Sequence, residues 1–280
     1  MVELELVVAG HCIGPERLMR GRGGWRRVEF PSSVAVVRHP SGGVLLFDTG
    51  YAPRFAERTT RWPYRLYRML LPVTCRPEDA LLAQLATRRV PPRQVSTIVL
   101  SHLHGDHVAG LLDFPGSRIV LGPGALPAGW RGRSAWANAA HGFVPGLLPA
   151  DLERRTVPAT TLPVRPTGLG GRLRNGYDLT GDGEVMVLPL PGHTAGHLGM
   201  WLPGVGPDGV LLAGDACWNR RAFTHGELPH PLVLRAMHDP GGYRGAIAEL
   251  ARLHRSRPGL IIVPSHCPAS IAAARAALGG

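Results

Sequence analysis

Apolar positions along the chain fall into short runs separated by Gly, Pro and Ser, and almost every run is too short for a helix. Met1 to Val8 alternates acidic and apolar side chains, the period of two expected for an edge strand. Val34–Val37 and Val44–Phe47 flank Pro40-Ser41-Gly42-Gly43, which predicts two strands joined as a hairpin. Further strands are predicted over Thr97–Leu100, Arg118–Leu121, Val185–Leu190, Leu211–Ala213 and Ile261–Val263. Helical patterns are fewer. Pro77 opens one, with Glu78 and Asp79 in its first turn and Arg88 and Arg89 in its last, a polarity that suits the helix dipole. A second begins near Tyr243 and runs to His254, and a short alanine-rich helix covers Ser270–Leu278. Between Gly122 and Gly183 the pattern breaks down among many Pro and Gly. So long an irregular stretch inside a compact fold is usually functional, and it is expected to cover a site as a lid. Trp130, Trp136, Phe143 and Leu147 are its apolar candidates, with Arg61 to Leu71 as an opposite wall.

The predicted strands share an ending. Val95–Leu100 leads to His102-Leu103-His104-Gly105-Asp106-His107, and Val185–Leu190 to Gly192-His193-Thr194 and then His197. Leu211–Ala213 leads to Gly214-Asp215, and Ile261–Val263 to Ser265-His266. Leu46-Phe47-Asp48 repeats the form with a carboxylate. Loops at strand ends are where rigid scaffolds present functional groups. Imidazole and carboxylate together suit zinc and its first-row neighbours. So many polar side chains beside buried strands are costly unless something pairs with them.

In these blocks the chain resembles the metallo-β-lactamase-fold hydrolases. The match rests on His102-x-His104-x-Asp106-His107, Gly192-His193-Thr194, Gly214-Asp215 and Ser265-His266, in the family's order, over roughly Val34 to His266. The resemblance implies an α/β fold: a four-layer αββα sandwich of two mixed sheets face to face, with helices outside. One domain over residues 1–280 is expected, with lid-like insertions near 51–76 and 122–183. It further implies two divalent cations, zinc first, with iron or manganese as the other options. His102, His104 and His193 would hold the first, Asp106, His107 and His266 the second, and Asp215 would bridge them. The nucleophile would be a hydroxide shared by the two metals, with Asp106 orienting it. Asp48 and His197 would support the ligands, since a carboxylate can fix an imidazole tautomer.

Composition narrows the partners. The net charge is +11, and all 31 strong bases are arginine. They are scattered rather than gathered on one face with aromatic partners, so nucleic-acid binding is not expected. No apolar run approaches the length of a membrane span. The acidic start lacks a secretory signal, and a cytoplasmic location is expected. Cys12, Cys75, Cys217 and Cys267 show no Cys-x-x-Cys spacing and are expected to be packing or supporting thiols.

The resemblance does not select one reaction. Zinc β-lactamases commonly carry cysteine at the position of Asp215, and diiron relatives an acid at that of His104. What remains is similar to stand-alone lactonases, acting on a carboxylic ester or lactone. Glyoxalase II-type thioesterases, which share Pro-Gly-His-Thr-x-Gly-His, and mono-iron persulfide dioxygenases are the alternatives. Lactonases of this branch often have tyrosine three residues after the bridging aspartate. Trp218 stands there, and an indole donates one hydrogen bond but does not transfer its proton as a phenol does.

Overall fold

A computed structural model describes residues 1–279. Its first sheet contains β1 (Glu3–Pro15), β2 (Arg27–His39), β3 (Gly43–Phe47), β4 (Val73–Thr74), β5 (Val95–Val99), β6 (Arg118–Leu121) and β7 (Thr156–Pro158). The second contains β8 (Val164–Pro166), β9 (Asn175–Asp178), β10 (Met186–Pro189), β11 (Leu198–Leu202), β12 (Val210–Gly214) and β13 (Ile261–Pro264). The strand orders are β4-β1-β2-β3-β5-β6-β7 and β13-β12-β11-β10-β9-β8. Both sheets are mixed: β3, β5, β6 and β7 run parallel, as do β12 and β13, and the other pairs are antiparallel.

The side-chain period of two explains why the strands read as continuous apolar runs. On β3, Leu45 and Phe47 face the second sheet while Val44 and Leu46 face the outer helices. On β12, Val210 and Leu212 face inward while Leu211 and Ala213 meet the helix Pro240–Ser256. Strands covered on both faces have no polar side to show. The result is an αββα sandwich with a core between the sheets and one beneath each helical layer.

The hairpin at Pro40–Gly43 forms as the turn residues predict, pairing His39 with Gly43. The helix expected from Pro77 divides. Pro77–Asp79 is a single 3-10 turn, Ala80 is extended, and the α-helix is Leu81–Thr87. Asp79 closes that turn on itself, its carboxylate accepting the Arg76 backbone N–H at 3.0 Å. The stretch 122–183 is also more ordered than its composition suggests. It supplies β7, β8 and β9, short strands at or next to the sheet edges, whose Pro and Gly obscure the alternation. Its first part, by contrast, reaches the metal-ligand block, where Phe143 pairs with His104. Trp130, Phe143 and Leu147 are buried in the core, whereas Trp136 is exposed.

Candidate metal centre

The side chains that end the strands meet at one edge of the sandwich. His102 follows β5, Asp48 follows β3, and His193, Asp215 and His266 follow β10, β12 and β13. The helical turn Gly105–Val108 brings Asp106 and His107 back toward His102. Two groups result. His102, His104 and His193 form one, and Asp106, His107 and His266 the other; within each, one ligand atom per residue lies within 4.8 Å of the rest.

Asp215 stands between them. Its Oδ2 is 3.3 Å from His193 Nε2 and 4.0 Å from His102 Nε2. Its Oδ1 is 3.1 Å from His266 Nε2 and 3.5 Å from His107 Nε2. Asp106 Oδ2 lies 3.3 Å from both His107 Nε2 and His266 Nε2. His104 turns its Nδ1 inward, 3.1 Å from His193 Nε2.

The outer nitrogens fix which inner atoms carry lone pairs. His107 Nδ1–H donates to Asp48 Oδ2 at 2.7 Å, and His266 Nδ1–H to the Pro31 carbonyl at 2.7 Å. His102 Nδ1–H donates to Ser101 Oγ at 3.0 Å, and His193 Nδ1–H to Met237 Sδ at 3.1 Å. In its neutral form each imidazole so held presents an Nε2 lone pair to the centre. Asp48 is anchored by Ser101, whose N–H and Oγ–H donate to it at 2.7 and 2.8 Å. It adopts φ 64°, a left-handed conformation that Asp tolerates better than most residues. His197 is not in either group. Its Nε2 accepts the Asp215 backbone N–H at 2.9 Å and so fixes the carboxylate's backbone. Trp218 Nε1–H donates to Asp215 Oδ2 at 2.7 Å.

Charge follows the same division. Burial lowers the pKa of His102, His104 and His193, keeping these rings neutral. Burial also opposes charge on His107 and His266, but the surrounding carboxylates outweigh it and raise both well above the ordinary imidazole value. Burial would raise Asp106 and Asp215, yet the neighbouring imidazoles hold both well below the usual carboxylate range.

The residues present fit a pair of cations. Buried His102 Nε2, His107 Nε2 and Asp215 Oδ1 have no hydrogen-bond partner, and such orphaned atoms are costly. Two ligand atoms bound tetrahedrally at about 2.0–2.1 Å lie about 3.3 Å apart, which matches the 3.1 to 3.5 Å spacings around Asp215 Oδ1. A cavity of ≈ 570 Å³ lies elsewhere; it is an apolar groove lined by residues such as Pro53, Leu82 and Val90.

Sequence reading found neither Ser101, Met237 nor the Pro31 carbonyl. Ser101 had a signal in its place just before His102; the other two act across sequence gaps that no local pattern reveals. His11 and His225 stay outside the cluster. His11 faces Glu29 at 3.8 Å and exposed His225 bonds Thr224. Cys217 and Cys267 are buried thiols, and Cys267 Sγ accepts the Arg220 N–H at 3.4 Å.

A family model described as the metallo-beta-lactamase superfamily matches residues 27–266. The chain belongs to that superfamily. Membership makes it a hydrolase with the divalent-metal chemistry for which these ligand groups are candidates. The N-acyl homoserine lactonase AiiB of Rhizobium rhizogenes is 28% identical over 235 residues, covering 83% of this chain and 78% of the relative. A probable metallo-hydrolase of Mycobacterium tuberculosis is 28% identical over 239 residues, covering 81% and 71%. In fold, the superfamily member is similar to the solved structure of a B. thuringiensis AiiA variant with N-decanoyl-L-homoserine bound. That match has a TM-score of 0.73 at 18% identity and covers 98% of this chain and 96% of the other. No helix among the described residues is long and apolar enough to cross a membrane.

Proposed function

We propose that the protein is a dimetal hydrolase that opens carboxylic esters or lactones, with acyl lactones as the leading substrate class. The observation that carries this reading is the division of Asp215, one oxygen toward each histidine group. His102, His104 and His193 would hold one cation, Asp106, His107 and His266 the other, and Asp215 both. Such cations supply Lewis acidity and bring the pKa of water toward neutrality. Zinc is the metal best suited to the nitrogen-rich donor set.

The chain's own groups define the rest. Asp48, Ser101, Pro31 and Met237 hold four rings in orientation, so little reorganisation is left for the reaction. Trp218 has spent its single N–H on Asp215, so it positions that carboxylate and is not a proton donor to a leaving alkoxide. Asp106 is the remaining candidate to move a proton. Its side chain is 11% exposed, against 4% for Asp215 and 0% for Asp48. Phe143 is buried and is joined to His104 by a β-bridge, which steadies the backbone of that ligand candidate. The lactone class draws support from the relatives named N-acyl homoserine lactonase, whose matches span most of both chains. The full second group weighs against the one-iron alternative, and a soluble small-molecule substrate fits the scattered surface arginines better than a nucleic acid.

The test measures metal stoichiometry and hydrolysis on one preparation, with acyl homoserine lactones, thioesters, β-lactams and phosphodiesters as substrates. Two metals per chain with lactone opening as the fastest reaction is the expected result. One iron per chain with oxygen consumption, or a thioester preferred over every lactone, would overturn it.

A further inference from the structure

Four of the five imidazoles in the two ligand groups have an outer partner among Ser101, Asp48, Met237 and Pro31. His104 is the fifth, and the only one that is half-buried rather than buried. Its inward Nδ1 is directed at His193, which leaves Nε2 and Cδ2 as the outer edge of the ring. That edge lies against the main chain at Gly142. A Cβ on Gly142 would stand 2.8 Å from His104 Cδ2, 3.0 Å from Nε2 and 3.3 Å from Cγ. The His141 carbonyl, in the same peptide unit as the Gly142 nitrogen, is the backbone acceptor that the ring meets. The His141 imidazole is turned away, its Nδ1–H donating to the Ala137 carbonyl at 2.8 Å.

The helix Ala135–Ala139 fixes where this peptide lies. Its end closes as a Schellman motif. Phe143 N–H donates to the Asn138 carbonyl and Gly142 N–H to the Ala139 carbonyl, both at 3.0 Å, and Gly142 takes the left-handed φ of 64° that the closure requires. At the other end the Ser134 side chain accepts the Ala137 N–H at 3.2 Å. Phe143 then pairs with His104 as an isolated β-bridge. The helix end therefore meets this ligand candidate twice, once at its backbone and once at its ring. A left-handed cap alone does not ask for the second contact. Gly226 ends the helix Arg221–His225 at φ 67°, and a Cβ there would meet nothing within 4 Å.

We propose that the His141–Gly142 peptide is the outer support of His104: the carbonyl accepts the Nε2–H, and the missing Cβ leaves the ring its place. A neutral imidazole carries one N–H, so holding it on Nε2 keeps the Nδ1 lone pair for a cation. Gly142 is thus a positioning residue, and the capped helix, rather than a buried side chain, orients this ring. The inference rests on His104 as a metal ligand and on no choice of substrate. A side chain at Gly142 presses on an imidazole that can rotate, so the ring yields before the backbone does.

The experiment compares wild type, Gly142→Ala and Gly226→Ala by chelator competition with zinc and by the visible spectrum of the cobalt(II) forms. Gly226→Ala carries the left-handed backbone cost without the ring contact. Gly142→Ala alone should lose at least about tenfold in affinity for one of two ions, with an altered cobalt spectrum and kcat falling more than KM changes. Equal affinities and spectra in the two variants overturn the proposal. A second measurement does not depend on the variant folding. Proton magnetic resonance of the wild type should show a histidine ring N–H in cross-relaxation contact with the Gly142 α-protons and slow to exchange with solvent. Its absence also overturns the proposal. Fewer than two ions bound by wild type, with that ring proton present, would overturn the dimetal reading and leave the support of His104 standing.

Discussion

The indole N–H of Trp218 donates a 2.7 Å hydrogen bond to Asp215 Oδ2, the oxygen facing His193 and His102. The Trp218 and His193 rings meet edge to face at 5.6 Å. The indole therefore constrains a carboxylate and the imidazole beside it. Trp218→Phe keeps much of the packing and removes the N–H. A hydrogen bond to a charged acceptor is worth about 1.5–3 kcal/mol, so metal affinity should fall about tenfold to hundredfold. Competition with a chromophoric chelator reads this directly. KM for substrate should move less than kcat, since the lost contact is to a ligand.

Asp48 makes a second such contact from the opposite side. It is fully buried and holds His107 through a 2.7 Å hydrogen bond. Asn fits the same space and also tolerates the left-handed backbone at φ 64°, so Asp48→Asn should fold. The charge that favours the Nδ1–H tautomer is removed, and replacing such a partner typically costs 10- to 100-fold in metal affinity or activity. A fall of about that size in affinity, with the circular dichroism spectrum unchanged, is expected.

Acid stability has a component separate from the metal centre. Glu227 is buried and ion-paired with Arg221 at 2.6 Å and Arg20 at 2.8 Å. Hydrogen bonding from Arg221 is the main cause that lowers its pKa from 4.5 to about 2; burial opposes it and Arg20 assists. A carboxyl depressed on folding binds fewer protons in the native state than in the unfolded one. Its contribution is thus fully present above the unfolded value near 4.5 and is lost as pH falls from there toward about 2. Urea melts of wild type and Glu227→Gln across this window should converge as pH drops. A gap that stays constant would remove Glu227 as the titrating group.

The seven clustered side chains and Asp48 were visible in sequence because each follows an apolar strand, and strand ends converge at a sheet edge. The sandwich was visible through the family blocks; periodicity alone supports only mixed α and β, since double-faced burial erases alternation on β3 and β12. Met237 and Pro31 were invisible because their contacts with His193 and His266 span 44 and 235 residues. The edge strand β8 and its neighbour β9 were hidden by their own Pro and Gly. Trp136 was read as lining a covered site, but its ring faces outward while Trp130 and Phe143 take the buried positions. A helix of five residues offers too few positions for its inner face to be read from spacing.

Gly192 ties the fold to the metal centre through backbone alone. It has φ 133°, and a Cβ there would stand 2.1 Å from the Tyr243 nitrogen and 2.3 Å from its Cα. The adjoining carbonyls are also committed: Gly192 O accepts the Asp239 N–H at 2.9 Å, and His193 O the His238 N–H at 3.2 Å. The start of the helix Pro240–Ser256 is therefore pressed against the residue before a proposed metal ligand. Neither side can yield easily, because the contact is backbone on backbone. Gly192→Ala should cost about 3 kcal/mol or more in stability, the range of a strained backbone position combined with a steric clash. His193 should shift with it, so metal bound by the His102, His104 and His193 group should weaken while the other group keeps its ion. Gly116→Ala is the control: a Cβ there meets nothing within 4 Å, and a near-neutral effect is expected. Chemical denaturation of both variants, with metal counted per chain, checks the pair. Equal stability of the two would show that the helix start moves freely and that Gly192 does not position His193.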